Sequence, residues 1–206
     1  QLEMESFWNV TLDPNEGKTI VEIIEDIASN KIKGLYVQGE NPAMSDPDQI
    51  HARKALAKLE YLVVQDIFMT ETAWHADVIL PASAHAEKNG TYTNTNRQVQ
   101  LGRAVVETPG NVKQDWWIIQ EIANRMGLEW NYKSPRDVFN EMKCIMPSLN
   151  NISWERLERD GFVTYPVENE FELGQDIIFN DGFPTLNKLA KIIPTKLIMP
   201  NDELND

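Results

Sequence analysis

The residues best suited to chemistry in this chain stand just past the ends of short apolar runs. Leu35-Tyr-Val37 stops before Gly39, with Glu40, Asn41, Pro42 and Ser45 following. Tyr61-Leu-Val-Val64 leads into Gln65 and Asp66, and Val78-Ile-Leu80 leads into Pro81, Ala82 and Ser83. A Gly-containing turn between a strand and a helix exposes backbone N–H groups, which with the helix dipole suit a phosphate. For Gly39 to Ser45 the competing reading is an ordinary strand-to-helix turn, and spacing alone favours it. Asp46 and Asp48 suit the dipole but would repel an anion held beside them. Asp66 can accept from ribose hydroxyls, as acids at strand ends do, or cap the turn that follows; the sequence leaves both open. Asp115, ahead of Trp116 and Trp117, reads first as a first-turn acid facing the helix dipole. The alternative is an acceptor-only carboxylate meeting the donor edge of a guanine, N1–H and N2–H₂.

Other chemistries find little support. No G-x-G-x-x-G occurs, so a nicotinamide cofactor is not indicated. His51, His75 and His85 lack the H-x-x-H or H-E-x-x-H spacing of metal sites, and no ligand set is expected from them. Nothing marks a nucleophile elbow, so no residue is assigned a catalytic role. The single cysteine, Cys144, rules out an internal disulfide and any iron–sulfur cluster held by this chain alone. Its helical setting makes it core or helix surface, and Trp116 and Trp117 read as core and interface. A formal net charge of −13 argues against a broad nucleic-acid surface. No apolar stretch approaches the roughly 20 residues of a membrane helix.

The elements that must position these residues follow from periodicity and punctuation. Ile20, Ile23, Ile24 and Ile27 recur at helical spacing from Thr19 to Ser29, with Thr19 and Glu22 as a capping box. Strands are predicted at Gly34 to Gly39, Tyr61 to Asp66 and Asp77 to Ser83, the second buried on both faces because its apolar run does not alternate. Ser45 is expected to cap a helix reaching Glu60, with Ile50, Ala55, Leu56 and Leu59 on one face. A short helical segment is expected around Thr70 to His75, and polar Ala84 to Asn96 to run over the surface. Gln98 to Ala104 is predicted as an edge strand. Helices follow at Lys113 to Met126, with an apolar stripe of Trp117, Ile118, Ile122 and Met126, then after Ser134-Pro135 and after Ser153. Short connections between alternating strands and helices imply an α/β fold: a three-layer αβα domain with a mainly parallel sheet over residues 1–150. Residues 151–206 are expected as a helical and irregular extension, their proline-marked tail with acidic Asn201 to Asp206 a linker. Beginning at Gln1 rather than methionine, the chain is expected to be an internal piece of a longer polypeptide.

Four segments in this order resemble the molybdopterin-dependent oxidoreductases. They are Gly39-Glu-Asn-Pro42, Val64-Gln-Asp-Ile-Phe-Met-Thr-Glu-Thr-Ala73, Ala76-Asp-Val-Ile-Leu-Pro-Ala-Ser83 and Glu87-Lys-Asn-Gly-Thr-Tyr-Thr-Asn94. With Asn94-Thr-Asn-Arg-Gln-Val-Gln100 and Gln114-Asp-Trp-Trp117, the chain looks most like part of a formate dehydrogenase catalytic α subunit. That resemblance implies one of two domains that each hold half of a bis(molybdopterin guanine dinucleotide) cofactor carrying Mo or W. On it, Gly39, Glu40, Asn41 and Ser45 would lie against the dinucleotide, and Gln65 and Asp66 would meet its ribose or guanosine part. The backbone at Ala82 would add contacts, and Asp115 would face the guanine. Asn41 stands where certain formate dehydrogenases carry aspartate, and Ala82 where some relatives carry serine. The family's metal-ligating cysteine or selenocysteine, its following histidine and its N-terminal cluster cysteines have no counterpart here, so this piece is expected to be inactive alone. Implied partners are the remaining domains of the α subunit, including a C-terminal barrel, and electron-transfer subunits. A cytoplasmic location is expected, a periplasmic parent being the other possibility. The alternative reading is a non-catalytic scaffold similar to the large peripheral subunit of respiratory NADH–quinone oxidoreductase.

Overall fold

The computed structural model describes residues 2–196; Pro200 and the acidic stretch Asn201 to Asp206 lie outside the described residues. In chain order the elements are α1 (Leu2–Trp8), α2 (Ile20–Ala28), β1 (Gly34–Gln38), α3 (Pro42–Ser45), α4 (Gln49–Leu56), β2 (Tyr61–Asp66) and β3 (Val78–Pro81). Then come β4 (Gly90–Thr93), β5 (Gln98–Gly102), α5 (Asp115–Arg125), α6 (Pro135–Ile145), α7 (Trp154–Asp160) and β6 (Phe162–Thr164). They build an α/β fold around two sheets of three strands each, ordered β1-β2-β3 and β4-β5-β6. The first is parallel and the second antiparallel. No helix among the described residues is long and apolar enough to cross a membrane.

In the parallel sheet Leu35 pairs with Leu62 and Val37 with Val64, so these side chains share one face. Helix α2 begins as the sequence predicts: Thr19 Oγ1 accepts from the Glu22 amide, and a Glu22 carboxylate oxygen accepts from the Thr19 amide at 2.7 Å. Its buried Ile24 and Ile27 meet Ala52 and Ala55 of α4, with Leu35 packed against them. Val37, Leu62, Val64 and Ala73 continue that core. The opposite face carries Tyr36, Val63, Gln65, Val78 and Leu80. Tyr36 there is 41% exposed and Tyr61 53%, so β2 is not sealed on both sides as its unalternating run suggests.

The helix after β1 departs from expectation. Ser45 is the last residue of the single turn α3, and Asp48 caps α4 instead, accepting from the His51 amide at 2.9 Å. The cause is Pro47: a residue ahead of proline is forced out of the helical region, and Asp46 sits at φ −67°, ψ 135°. Helix α4 stops at Leu56 rather than Glu60, and its buried face is Ala52, Ala55 and Leu56 while Ile50 stays exposed.

The second sheet corrects two more expectations. Residues 84–96 are not all surface loop, since Gly90–Thr93 forms β4. Strand β5 is central rather than an edge, pairing with β4 on one side and β6 on the other. Strand pairing therefore runs across residue 150, joining Val99 to Val163. One apolar cluster unites Val99, Phe139, Leu149, Ile152, Trp154, Leu157, Val163 and Val167. Arginines stitch down the irregular segment beyond β6. The buried Arg156 guanidinium donates to the carbonyls of Asn151, Asn169 and Glu172, and Arg97 to those of Tyr165, Gln175 and Asp176.

Helix α5 buries Ile118, Gln120 and Ala123, not the full predicted stripe. Trp117 and Ile122 line an open cleft of about 420 Å³ beside Leu80 and Pro81, and Met126 is exposed. Gly127, at φ +93°, follows the helix end as its residue type predicts.

Candidate functional site

Because β1, β2 and β3 run the same way, their carboxyl ends line up on one edge. Gly39 leaves β1 at φ +61°, a region that favours glycine, and its amide donates to the Gln65 carbonyl at 2.9 Å. The Ala82 amide donates to the Asp66 carbonyl at 3.0 Å, and Ala82 itself bridges to Lys113. Residue 113 thereby extends the edge by one position and delivers Asp115, the first residue of α5, beside the ends of β2 and β3.

Each predicted polar residue on this edge has a protein partner. One Glu40 carboxylate oxygen accepts from the Ser45 hydroxyl at 2.9 Å and the Asn41 amide at 3.0 Å, and these two bonds hold its carboxyl below the usual carboxylate range. Asn41 staples the β1 turn to the segment after β2. Its carbonyl oxygen accepts from the Thr72 hydroxyl (2.8 Å) and amide (3.1 Å), and its NH₂ donates to Glu71 at 2.7 Å. Only an amide does both; an aspartate in that place would set two carboxylates against each other. Asp66 accepts from the amides of Ile67 (2.6 Å) and Phe68 (3.1 Å), so the turn-capping half of its two readings is realised.

Gln65 is fully buried, and both ends of its amide are used. Its carbonyl oxygen accepts from the Tyr36 hydroxyl, and its NH₂ donates to Asp115 Oδ1 at 2.8 Å. The other oxygen of Asp115 pairs with the Lys88 ammonium; both side chains are about three-quarters buried. Burial, and after it the Asp115 charge, pushes the Tyr36 phenol above its ordinary value. Nearby, Ser83 is fully buried, and its hydroxyl has no hydrogen-bond partner among the described residues.

Asp115 and Lys88 also border a cleft of about 330 Å³ walled by Tyr92, Trp116, Val138 and Met142. The Tyr92 ring leans on His85, centroids 4.4 Å apart, and stands beside Gly102, where an added Cβ would collide with it.

The structure thus brings Gly39, Gln65, Asp66, Ala82 and Asp115 onto one edge, with Glu40, Asn41 and Ser45 on the turn that adjoins it. Tyr36 and Lys88, bonded through Gln65 and Asp115, and Glu71 and Thr72, bonded to Asn41, were not read from the sequence as site residues. For Tyr36 a signal existed, because strand alternation puts it on the Gln65 face. The edge is rich in acceptors and poor in cations, so it suits the hydroxyls and N–H groups of a nucleoside better than free phosphate.

The sequence model of the family described as molybdopterin oxidoreductase matches residues 9–125. The F420-dependent formate dehydrogenase subunit alpha of Methanocaldococcus jannaschii is 46% identical over 194 residues, covering 93% of this chain and 28% of its own length. YrhE of Bacillus subtilis, provisionally named a formate dehydrogenase, is 38% identical over 189 residues, 92% of this chain and 19% of its own. The chain therefore spans well under a third of these relatives. Among solved structures, the acetylene hydratase of Pelobacter acetylenicus superposes with a TM-score of 0.59 at 26% identity, over 71% of this chain and 21% of that one.

Proposed function

The chain belongs to the molybdopterin oxidoreductase family, and from that premise we propose that its parallel-sheet edge holds the guanosine end of a molybdopterin guanine dinucleotide. One observation carries the reading. Asp115, an acceptor-only group, is fixed by a buried glutamine at the strand ends and opens on a cleft of nucleobase dimensions.

The residues present fit a nucleoside. Asp115 would accept from guanine N1–H and N2–H₂, Asp66 offers carboxylate oxygens for ribose, and Gly39 leaves open space at its turn. The diphosphate is less well served by side chains here, with Glu40 and Glu71 close to the β1 turn and Lys88 as the cation on the opposite side. When bound, the cofactor supplies the metal centre and its dithiolene ligands. This chain's part is to grip the nucleotide, hold its orientation and keep the grip rigid through the Asn41 and Gln65 bonds.

For the whole protein we infer formate oxidation to CO₂, on the 46% identity to a named formate dehydrogenase α subunit. Mo or W, a second dinucleotide, an iron–sulfur cluster, the remaining α-subunit domains and electron-transfer subunits belong to that inference. A second reading, a scaffold that keeps the edge for architecture alone, has one observation in its favour: Asn41, Asp66 and Asp115 are already satisfied by protein partners. The fold's likeness to a hydratase also means that this region does not by itself choose the reaction.

The test is calorimetric titration of the chain with GDP and with IDP, which lacks the 2-amino group. GDP should bind about tenfold more tightly, as a hydrogen bond to a charged acceptor implies, and Asp115→Asn should abolish the preference. Equal affinities in the unaltered chain would favour the scaffold.

A further inference from the structure

Gln65 is the one candidate whose surroundings speak against touching a ligand. It has no exposed surface, and its carbonyl and its NH₂ are both engaged by other side chains. We propose that Gln65 is a positioning residue, oriented by Tyr36, that selects for guanine by locking the Asp115 carboxylate in one rotation. The inference rests on the nucleotide reading above and adds the device that makes it selective.

The chemistry of the relay fixes its direction. Asp115 is acceptor-only, so the Gln65 NH₂ must face it, and the Gln65 carbonyl is left to accept from the Tyr36 hydroxyl. Were the amide turned over, its carbonyl would oppose a carboxylate oxygen, acceptor against acceptor. Tyr36 braces the carbonyl end of that amide, although it sits on the sheet face rather than at the strand ends. With Oδ1 held by the glutamine and Oδ2 by Lys88, the plane of the Asp115 carboxylate is set from both sides. Each oxygen retains a second lone pair, so a guanine edge can be accepted without breaking the relay. A free carboxylate would rotate and satisfy other donor patterns equally well. One held in plane discriminates, because a base lacking the matching donors leaves a desolvated acceptor unpaired.

The experiment extends the GDP and IDP titrations to Gln65→Leu and Tyr36→Phe in the full 206-residue chain. The first removes the clamp and keeps the volume. The second deletes only a hydroxyl at a partly exposed position, so it tests the idea even if the buried substitution does not fold. Expected are a GDP preference lowered about tenfold in Gln65→Leu and severalfold in Tyr36→Phe, with weaker GDP binding and little change for IDP. A further readout is pH. Gln65→Glu opposes a second carboxylate to Asp115, and its GDP affinity should recover on acidification while the unaltered chain shows no such rise. If the unaltered chain prefers GDP and both Tyr36→Phe and Gln65→Glu behave like it, the positioning role is wrong and the nucleotide reading stands. If the unaltered chain shows no preference, both fall together.

Discussion

The two sheets have the same number of strands and opposite characters. The antiparallel one closes with α6 and α7 around eight buried apolar residues and lends Tyr92, Val138 and Met142 as walls of the cleft beside Asp115, but none of the site residues predicted from sequence. The parallel one packs its helices through smaller clusters and gathers polar side chains at a single edge. Alternating strand directions distribute turns to both ends of a sheet, whereas parallel strands put every carboxyl end, with its loop, on one side. The comparison teaches that the site is a consequence of strand direction, while the antiparallel unit supplies rigid packing next to it.

Three substitutions would break or sharpen that contrast, beyond the nucleotide titrations above. The largest effect is expected for Leu157→Ala in the antiparallel unit, where the side chain has no exposed surface. Urea unfolding should show a loss of about 2–5 kcal/mol, with the ratio of GDP to IDP affinity unchanged at concentrations where the protein remains folded. A collapse of that ratio in the folded protein would mean that the two regions are not separable.

Asn41→Ala comes next. It removes the staple to Thr72 and Glu71, and about 1–2 kcal/mol should be lost in the same assay, given the modest net worth of each hydrogen bond. Faster amide exchange should be confined to the β1 turn and residues 71–73; a global change in exchange would contradict a local staple.

The smallest effect is expected at Asp26 of α2, whose carboxyl is held below its ordinary value by Lys18 at 2.7 Å and Lys31 at 3.0 Å. Because the folded-state value is depressed, the stabilisation is present above the unfolded-state pKa, about 4, and is lost as pH falls through the folded-state value. Asp26→Asn should therefore lower stability slightly at neutral pH and converge with the unaltered chain in acid. Equal separation of the two unfolding curves at every pH would exclude the ion pairs as the cause.

The parallel sheet was legible in the sequence because its strands are apolar runs bounded by Gly, Pro or Asp, and α2 because Thr19 and Glu22 mark its start. Strand β5 could be seen as a strand but not as a central one. Its second neighbour, β6, lies far along the chain, and Gln-Val-Gln-Leu-Gly reads equally well at an edge. The cap expected at Ser45 stands at Asp48 instead, because of the extended backbone that Pro47 imposes on Asp46. Of the site, the strand-end residues were visible by position. Tyr36 was marked only by the strand alternation that sets it on the Gln65 face, and Lys88 not at all, since its partner stands 27 residues away and no local pattern encodes such a meeting. The stripe on α5 misled because helical spacing reports amphipathicity without saying whether a neighbour covers the apolar side.

Gly102 gives the antiparallel unit a mechanical say in what the parallel edge can hold. The Tyr92 ring stands where a β-carbon at position 102 would project, and the same ring packs against His85, close along the chain to Lys88. Even a methyl group at position 102 would lift the ring like a wedge under a lever and press on the segment that carries the ammonium. An alanine there should disturb Asp115 from a distance, by way of Tyr92, His85 and the Lys88 ion pair.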